Sequence, residues 1–467
     1  MTSGRAQVAR DAIRAARVAE GRRTAVLDDD PTGSQSVHDV AVVAALSELD
    51  YHDVLSEPGA TCFILTNTRS MAEPDAVALN REVATQLFQL ERETGAPVDV
   101  VSRGDSTLRG HVIAEVQAID SARREVLGVG YDGVLIVPAY FEAGRFTVDN
   151  IHFAMIGGVP VPVGESEFAR DATFGYAASN LREFVAEKSG GAISPDQVLS
   201  ISLDDIREGG TERVAEVLMR ARDLTAVVVN AEGYDDLEVV VLALQRVESE
   251  GRRFLFRSGP SFVRALIGLG ERPPLTAAEL WGAGTSATRG LVVVGSHVGQ
   301  TARQLARAME RFELNHIELS VPELLADPDR GYVGDLAERV RAALANGDVL
   351  FTTSRTLMRS DDPVRSLEIA STVSTAVTEV VRAAVVAGPS WVLAKGGITS
   401  HDVAVRGLGI RRATVLGQFF SGMVSALRID CAIDPRAQGI RYVVFAGNVG
   451  DDDALAEVID LLRRGNG

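Results

Sequence analysis

An α/β fold of two domains, each a largely parallel sheet flanked by helices with the active site in the cleft between them, is what this sequence predicts. Three observations carry it. Short β-rich apolar runs alternate with stretches of helical periodicity, the pattern of parallel sheets covered by helices. At 467 residues the chain is long enough for two or more cores. A stretch rich in Pro, Gly, Ser and Thr, Glu271–Gly290, interrupts the rhythm and reads as a linker region. The expected division is therefore 1–270, a linker over 271–290, and 291–467.

Taken in order, Met1–Arg23 is Arg- and Ala-rich in the manner of a transit peptide, but Asp11 and Glu20 favour an ordinary surface helix. Candidate strands of the first half are Ala25–Leu27, Cys62–Thr66, Val98–Ser102, Gly133–Pro138, Ala226–Asn230 and Phe254–Phe256. Between them Asp75–Thr94 spaces Val77, Val83, Leu87 and Leu90 for one buried helical face, and His111–Arg123 and Asp235–Glu250 read similarly. After the linker come strands at Leu291–Val294, Val349–Thr352, Trp391–Leu393, Thr414–Leu416 and Arg441–Phe445.

Composition narrows the classes of function. Apolar residues at 46% and charged residues at 24% are those of a soluble globular protein. A net charge of −17 argues against a nucleic-acid backbone or an anionic membrane as partner. No apolar run is long enough to span a bilayer. Cys62 and Cys431 suggest neither a disulfide framework nor a zinc site, which fits a cytoplasmic protein. The seven histidines lack metal-ligand spacing, and His38, His111 and His297 read as plain polar residues.

The strand ends of the first half carry chemistry. Asp28-Asp29-Asp30-Pro31-Thr32-Gly33-Ser34 puts three carboxylates side by side, an unfavourable arrangement unless a cation or a hydroxyl-rich ligand lies between them. Arg103, Asp105, Ser106, Thr107 and Arg109 fall within SRGDSTLRGH just before a helix, where guanidiniums and free N–H groups suit a carboxylate or phosphate. PAYFEAGR adds Glu142 and Arg145, and TNTRS (66–70) and RSGPS (257–261) complete the set. In open parallel sheets ligands bind beyond the carboxyl ends of strands, so five such endings predict one polar pocket. Carboxylates for hydroxyls, mixed with arginines for an acid group, imply a small polyhydroxy acid.

In the second half the loops are glycine-rich: GSHVGQT (295–301), AKGGITS (394–400) and FAGNVGD (445–451) each lead from a strand to a helix. Glycines let backbone approach a ligand and helix N-termini attract phosphate, so these predict a nucleotide site. The GxxxxGK[ST] pattern is absent. Gly128-Val-Gly130-Tyr-Asp-Gly133 matches GxGxxG literally, yet precedes a strand and opens no helix, and reads as a loop.

With these motifs assembled, the chain resembles the four-carbon acid sugar kinases, which phosphorylate threonate, erythronate and 3-oxo-tetronates. The resemblance rests on Asp29-Asp30-Pro31-Thr32-Gly33, on Asp105-Ser106-Thr107-Leu108-Arg109-Gly110, and on Pro138-Ala-Tyr-Phe-Glu-Ala-Gly144-Arg145. Its nucleotide side corresponds to Gly295-Ser296, Gly396-Gly397-Ile398-Thr399 and Ala446-Gly447-Asn448-Val449-Gly450. Ile398 stands where the family has an acidic residue, Ala446 and Val449 also differ, and Lys395 precedes the glycine pair. GQFFSGM (417–423) loosely follows the family's G-x-E-x-x-P-G stretch.

The resemblance implies ATP-dependent phosphorylation of a sugar-acid hydroxyl, with ATP and Mg²⁺ as cofactors. Asp29 or Asp30 would accept or orient the hydroxyl proton, and Asp28 would end the strand. Asp105, Ser106 and Arg109 would bind the sugar acid, with Arg145 for its carboxylate. Ser296, Gly396, Gly397, Ile398, Thr399 and Gly447 would cradle ATP. The expected partners are these small molecules and a second copy in a homodimer, with no nucleic acid and no membrane. The alternatives are a metal-dependent phosphohydrolase or lyase on a related sugar acid, and a sugar-acid sensor without catalysis.

Overall fold

The computed structural model describes residues 3–30, 36–44, 51–282, 289–296, 298–327, 330–354, 363–447 and 449–464. Pro31, Thr32, Gly33 and Ser34 of the acidic turn, His297 and Asn448 lie outside the described residues. The chain divides into two compact units, Met1–Val40 with Glu48–Glu271, and Ala41–Ser47 with Arg272–Gly467.

In the first unit a parallel sheet runs in the order Thr61–Leu65, Arg23–Asp28, Val98–Arg103, Phe254–Ser258, Gly133–Val137, Thr225–Val229, Leu199–Ile201. The inner strands Gly133–Val137 and Thr225–Val229 are buried almost throughout, and for that reason read as continuous rather than alternating apolar runs. Parallel pairing brings Asp28 level with Leu65 and Arg103, and Ser258 level with Arg103 and Val137. The strand ends therefore form one rim.

The helix expected at Asp75–Thr94 spans Glu73–Thr94, started by Pro74 and acidic residues and stopped by Gly95 in the left-handed region. Its buried face uses Ala76, Asn80, Val83, Ala84, Leu87, Phe88 and Leu90, leaving Val77 half-buried. The N-terminal stretch forms the helix Ser3–Ala19, with Ile13 fully buried; Arg17 on it and Arg22 just beyond it pair with the buried Asp99 at 3.2 and 2.6 Å.

A small antiparallel sheet, Arg145–Val148, Ile151–Ile156 and Val159–Pro162, stands where the sequence suggests no strand. Its two turns are Asp149-Asn150 and Gly157-Gly158, all four with positive φ, the geometry of two-residue hairpins. Phe146 and Phe153 stack across it with ring centroids 5.4 Å apart.

The second unit has a parallel sheet in the order Asn315–Leu319, Val349–Thr353, Gly290–Val294, Trp391–Lys395, Arg441–Phe445. It continues antiparallel through Met423–Ala432 and Ile410–Phe420 to Ala41–Val43. GQFFSGM is thus the tip of a long hairpin, turning at Gly422. The helices Gly299–Arg311 and Ala454–Arg463 pack on this sheet around Trp391, Phe445, Leu305 and Leu455. Within 271–290, Thr276 caps a helix, Ala277–Trp281, and Leu275, Leu280 and Trp281 join the same core. No helix among the described residues is long and apolar enough to cross a membrane.

Candidate functional site

The rim of the first unit gathers the predicted carboxylates and arginines. Asp28 Oδ1 accepts from Arg103 Nη1 at 2.8 Å and from the Asp30 backbone N–H at 3.2 Å, so it shapes the turn as well as ending the strand. Burial, opposed by Arg103, raises its carboxyl to about 6. Asp30, at the edge, is paired with Arg69.

Asp29 differs from both neighbours. It is 2% exposed, and neither carboxylate oxygen has a hydrogen-bond partner among the described residues. Two guanidiniums face it without bonding to it, Arg69 at 3.6 Å and Arg257 at 3.7 Å. Burial pushes its carboxyl up to about 7, against the pull of Arg69 and Arg257. Buried carboxylates are ordinarily hydrogen-bonded, which sets this group apart from its neighbours.

Those arginines are themselves fixed. Arg257 Nη1 donates to Ser102 Oγ at 2.7 Å and to the buried Glu115, which also accepts from Thr68 Oγ1 at 2.6 Å. Arg69 bridges from Asp30 to Asp105, whose Oδ1 lies 3.4 Å from Nη1. A Cβ at Gly110, where φ is +123°, would sit 3.0 Å from both Arg257 Nη2 and Asp29 Oδ2. Only glycine lets the backbone pass so close to this pair.

Asp105 accepts from Arg109 Nε at 2.6 Å and from the Thr107 hydroxyl. Burial works to raise its carboxyl, but Arg69 and Arg109 outweigh it and hold it at about 2. The Ser106 and Thr107 carbonyls are pinned by His152 Nε2 at 2.8 Å and by the Tyr176 hydroxyl at 2.6 Å. Arg109 and Arg145 both lie over the Phe168 ring, 5.6 and 5.8 Å from its centroid. Arg145 donates to the Ala143 carbonyl, its buried Nε has no partner, and it makes no ion pair among the described residues. Glu142, by contrast, is engaged by Tyr234 at 2.6 Å and Arg264 at 3.1 Å, which makes it a brace for its loop. A cavity of about 20 Å³ between Asp105, Arg109 and Arg257 has room for one water.

In the second unit three loops meet. Thr301 Oγ1 bonds Ser296 Oγ at 3.0 Å and the Gly447 carbonyl at 3.0 Å. A Cβ at Gly447 would lie 2.6 Å from Ser296 Oγ, and one at Gly396 would lie 3.4 Å from both Ser296 Cβ and Thr399 Oγ1. Gln304, fully buried, donates to the carbonyls of Val449 at 3.0 Å and Asp451 at 2.6 Å, fixing the last loop against the helix Gly299–Arg311. Ser296, Gly396, Thr399 and Gly447 are brought together. Gly397 faces open space and the Ile398 side chain is 77% exposed. Two larger cavities of about 330 and 370 Å³ in this unit are lined by other residues.

Sequence reasoning passed over Arg69, Arg257 and Glu115 as individual site residues, and over Thr301 and Gln304. The two arginines sat in strand-end loops already marked as polar, which was the available signal. Glu115, inside a helix, carried none. Among the described residues no three His, Cys, Asp or Glu side chains cluster as a metal site.

Residues 24–266 match the family model of a sugar-binding N-terminal domain, and residues 291–455 that of a nucleotide-binding C-terminal domain. No curated protein matches the chain. Among solved structures the Haemophilus influenzae protein HI1011 is 18% identical, over 94% of this chain and 100% of its own, with a TM-score of 0.63. A Salmonella typhimurium LT2 protein carrying the provisional name tRNA synthase is 16% identical, over 93% of this chain and 98% of its own, with a TM-score of 0.67. At these identities the likeness is one of fold. The paired sugar-binding and nucleotide-binding domains give the conclusion: the chain belongs to the four-carbon acid sugar kinase family.

Proposed function

We propose that the protein transfers the terminal phosphoryl group of ATP to a hydroxyl of a four-carbon sugar acid of the threonate, erythronate or 3-oxo-tetronate type. The observation that carries this reading is the buried Asp29 carboxylate, whose two oxygens lack hydrogen-bond partners among the described residues. A carboxyl raised to about 7 suits a general base at neutral pH, because it holds a proton firmly once it has taken one. The substrate hydroxyl gives its proton to Asp29, its oxygen bonds to the γ-phosphorus, and the bond to the β–γ bridging oxygen breaks, so that ADP leaves with the electron pair. Asp30 acts by holding Arg69.

Asp105, kept ionised by Arg69 and Arg109, accepts from other substrate hydroxyls, with Ser106 and Arg109 beside it. Arg145, without an ion-pair partner among the described residues, takes the carboxylate. Ser296, Gly396, Gly397, Thr399 and Gly447 cradle the nucleotide through backbone N–H groups and hydroxyls, whereas the exposed Ile398 contributes backbone alone. A magnesium ion supplies charge neutralisation on the nucleotide phosphates when bound. The described side chains offer it no cage of their own.

The test is ADP release with ATP, Mg²⁺ and a panel of tetronates, for the wild type, Asp29→Ala and Asp30→Ala. Turnover of at least one tetronate is expected, with Asp29→Ala slowed about 10²–10⁴-fold. Unchanged turnover in Asp29→Ala would remove it from the mechanism. Sugar-acid melting shifts without ATP turnover indicate a sensor, and metal-dependent consumption without ATP indicates a hydrolase or lyase.

A further inference from the structure

The second unit contains a buried cation that the phosphoryl-transfer reading leaves unused. Lys395 ends the strand Trp391–Lys395, directly before Gly396, and is fully buried. Its register partner on the neighbouring strand is Phe445, and Nζ lies 3.8 Å from the centroid of that ring. Nζ donates to the Ala446 carbonyl at 3.1 Å. An ammonium has three donors, so two are left over.

Among the described residues its charge has no counter-ion: Lys395 makes no ion pair, and burial alone pushes its amine down to about 7. The charged groups on the surrounding elements are occupied elsewhere. Arg303 and Arg307 pair with Asp452 and Asp453 at 2.9 and 3.6 Å, all four exposed. Asp402, on the helix after Gly396, is bonded by Ser374, next to His401. Asp451 accepts from the Asp453 N–H at 3.1 Å. Arg441, at the far end of the Phe445 strand, donates to the carbonyls of Leu280 and Trp281 at 2.8 and 3.2 Å. An ammonium buried without a carboxylate is costly, and one carbonyl and one ring offset that only in part.

The Ala446–Gly447 peptide gives the charge a use. In a trans peptide the C=O and the following N–H point in opposite directions. With the Ala446 carbonyl turned to Lys395, the Gly447 N–H is turned away from it. That N–H has no hydrogen-bond partner among the described residues, and Gly447 lies against Ser296 in the three-loop cradle.

We propose that Lys395 is a positioning residue for the phosphate donor, fixing the Ala446–Gly447 peptide and polarising it so that the Gly447 N–H binds a phosphate oxygen. This rests on the nucleotide reading of the second unit. The bound anion favours the charged amine, so binding draws a proton onto Lys395 above neutral pH. The experiment is titration calorimetry of ADP into the full chain without sugar acid, at pH 7 and 8.5, in buffers of different ionisation enthalpy. Wild type, K395M and K395R are compared, each first checked by melting. Expected are proton uptake by the wild type at pH 8.5, weaker binding there than at pH 7, and a loss of about tenfold or more in K395M with no uptake. K395R is expected to recover affinity without uptake. Wild-type affinity and uptake in K395M overturn the lysine role and leave the nucleotide reading intact. If K395M does not fold, equal wild-type affinity at the two pH values with no uptake overturns it instead. A wild type that binds no ADP overturns the nucleotide reading, and this inference with it.

Discussion

Asn in place of Asp29 separates catalysis from stability, because the side chain keeps its shape, loses its charge and exchanges one acceptor oxygen for an NH2 donor. Burial raises the Asp29 carboxyl from its ordinary 3.8 to about 7. That is roughly three pH units at about 1.4 kcal/mol each, or about 4 kcal/mol by which the fold disfavours the ionised form. The unfolded chain releases this proton near 3.8 and the folded chain near 7. Between those values the unfolded state binds fewer protons, so the wild type loses stability as pH rises, and above 7 the loss is complete. Asp29→Asn escapes it. Arg69 and Arg257 lose one facing carboxylate but keep Asp30, Asp105 and Glu115. Allowing half of the gain for that loss leaves about 2 kcal/mol at pH 8, or roughly 4–8 °C in melting temperature for a unit of this size. Thermal melts of both proteins at pH 5 and pH 8 check this. The variant is expected to melt higher at pH 8, by a smaller margin at pH 5, and to release ADP about 10²–10⁴-fold more slowly. A variant that melts below the wild type at pH 8 would show Asp29 to be a stabilising partner of its arginines, and the argument for a strained base would fail.

Two further outcomes follow from the geometry. Gly447→Ala puts a methyl 2.6 Å from Ser296 Oγ, so ADP affinity should fall at least tenfold, by calorimetry, with sugar-acid melting shifts retained. Arg145→Ala should raise the KM for the sugar acid by about 10–100-fold, the loss of one charge-assisted pair, while the KM for ATP stays within about twofold. Loss of both equally would assign Arg145 to the fold.

Much of this architecture was legible because buried parallel strands leave dense apolar runs such as Val134–Val137, and their ends must carry whatever chemistry the sheet has. The small antiparallel sheet was missed because its strands are short and its turns, Asp149-Asn150 and Gly157-Gly158, were not weighed as hairpin signals. The Ile410–Ala432 hairpin was read only as the segment Thr414–Leu416, since its faces mix charged and apolar residues. Within the site, the acidic turn was visible as crowded charge. That Asp28 is bonded, Asp30 paired and the Asp29 carboxylate without hydrogen bonds among the described residues depends on partners tens of residues away, Arg69, Arg103 and Arg257. Ile398, a departure by sequence, lands on an exposed side chain, where its chemistry costs the loop little.

The three-residue strand Ala41–Val43 pairs with Arg412–Thr414 of the second unit, although the chain on either side of it belongs to the first. On the ribosome this strand emerges about 370 residues before its partner, a wait of roughly 20–70 s at 5–20 residues per second. For that interval the side of the strand that meets Arg412–Thr414 has no partner there. A gene fragment starting at Arg272 would meet the same problem from the other side. Its Ile410–Phe420 strand would present a bare edge at Arg412–Thr414, open to the strand of another copy. The boundary for separating the units in a test tube therefore does not lie at any single peptide bond.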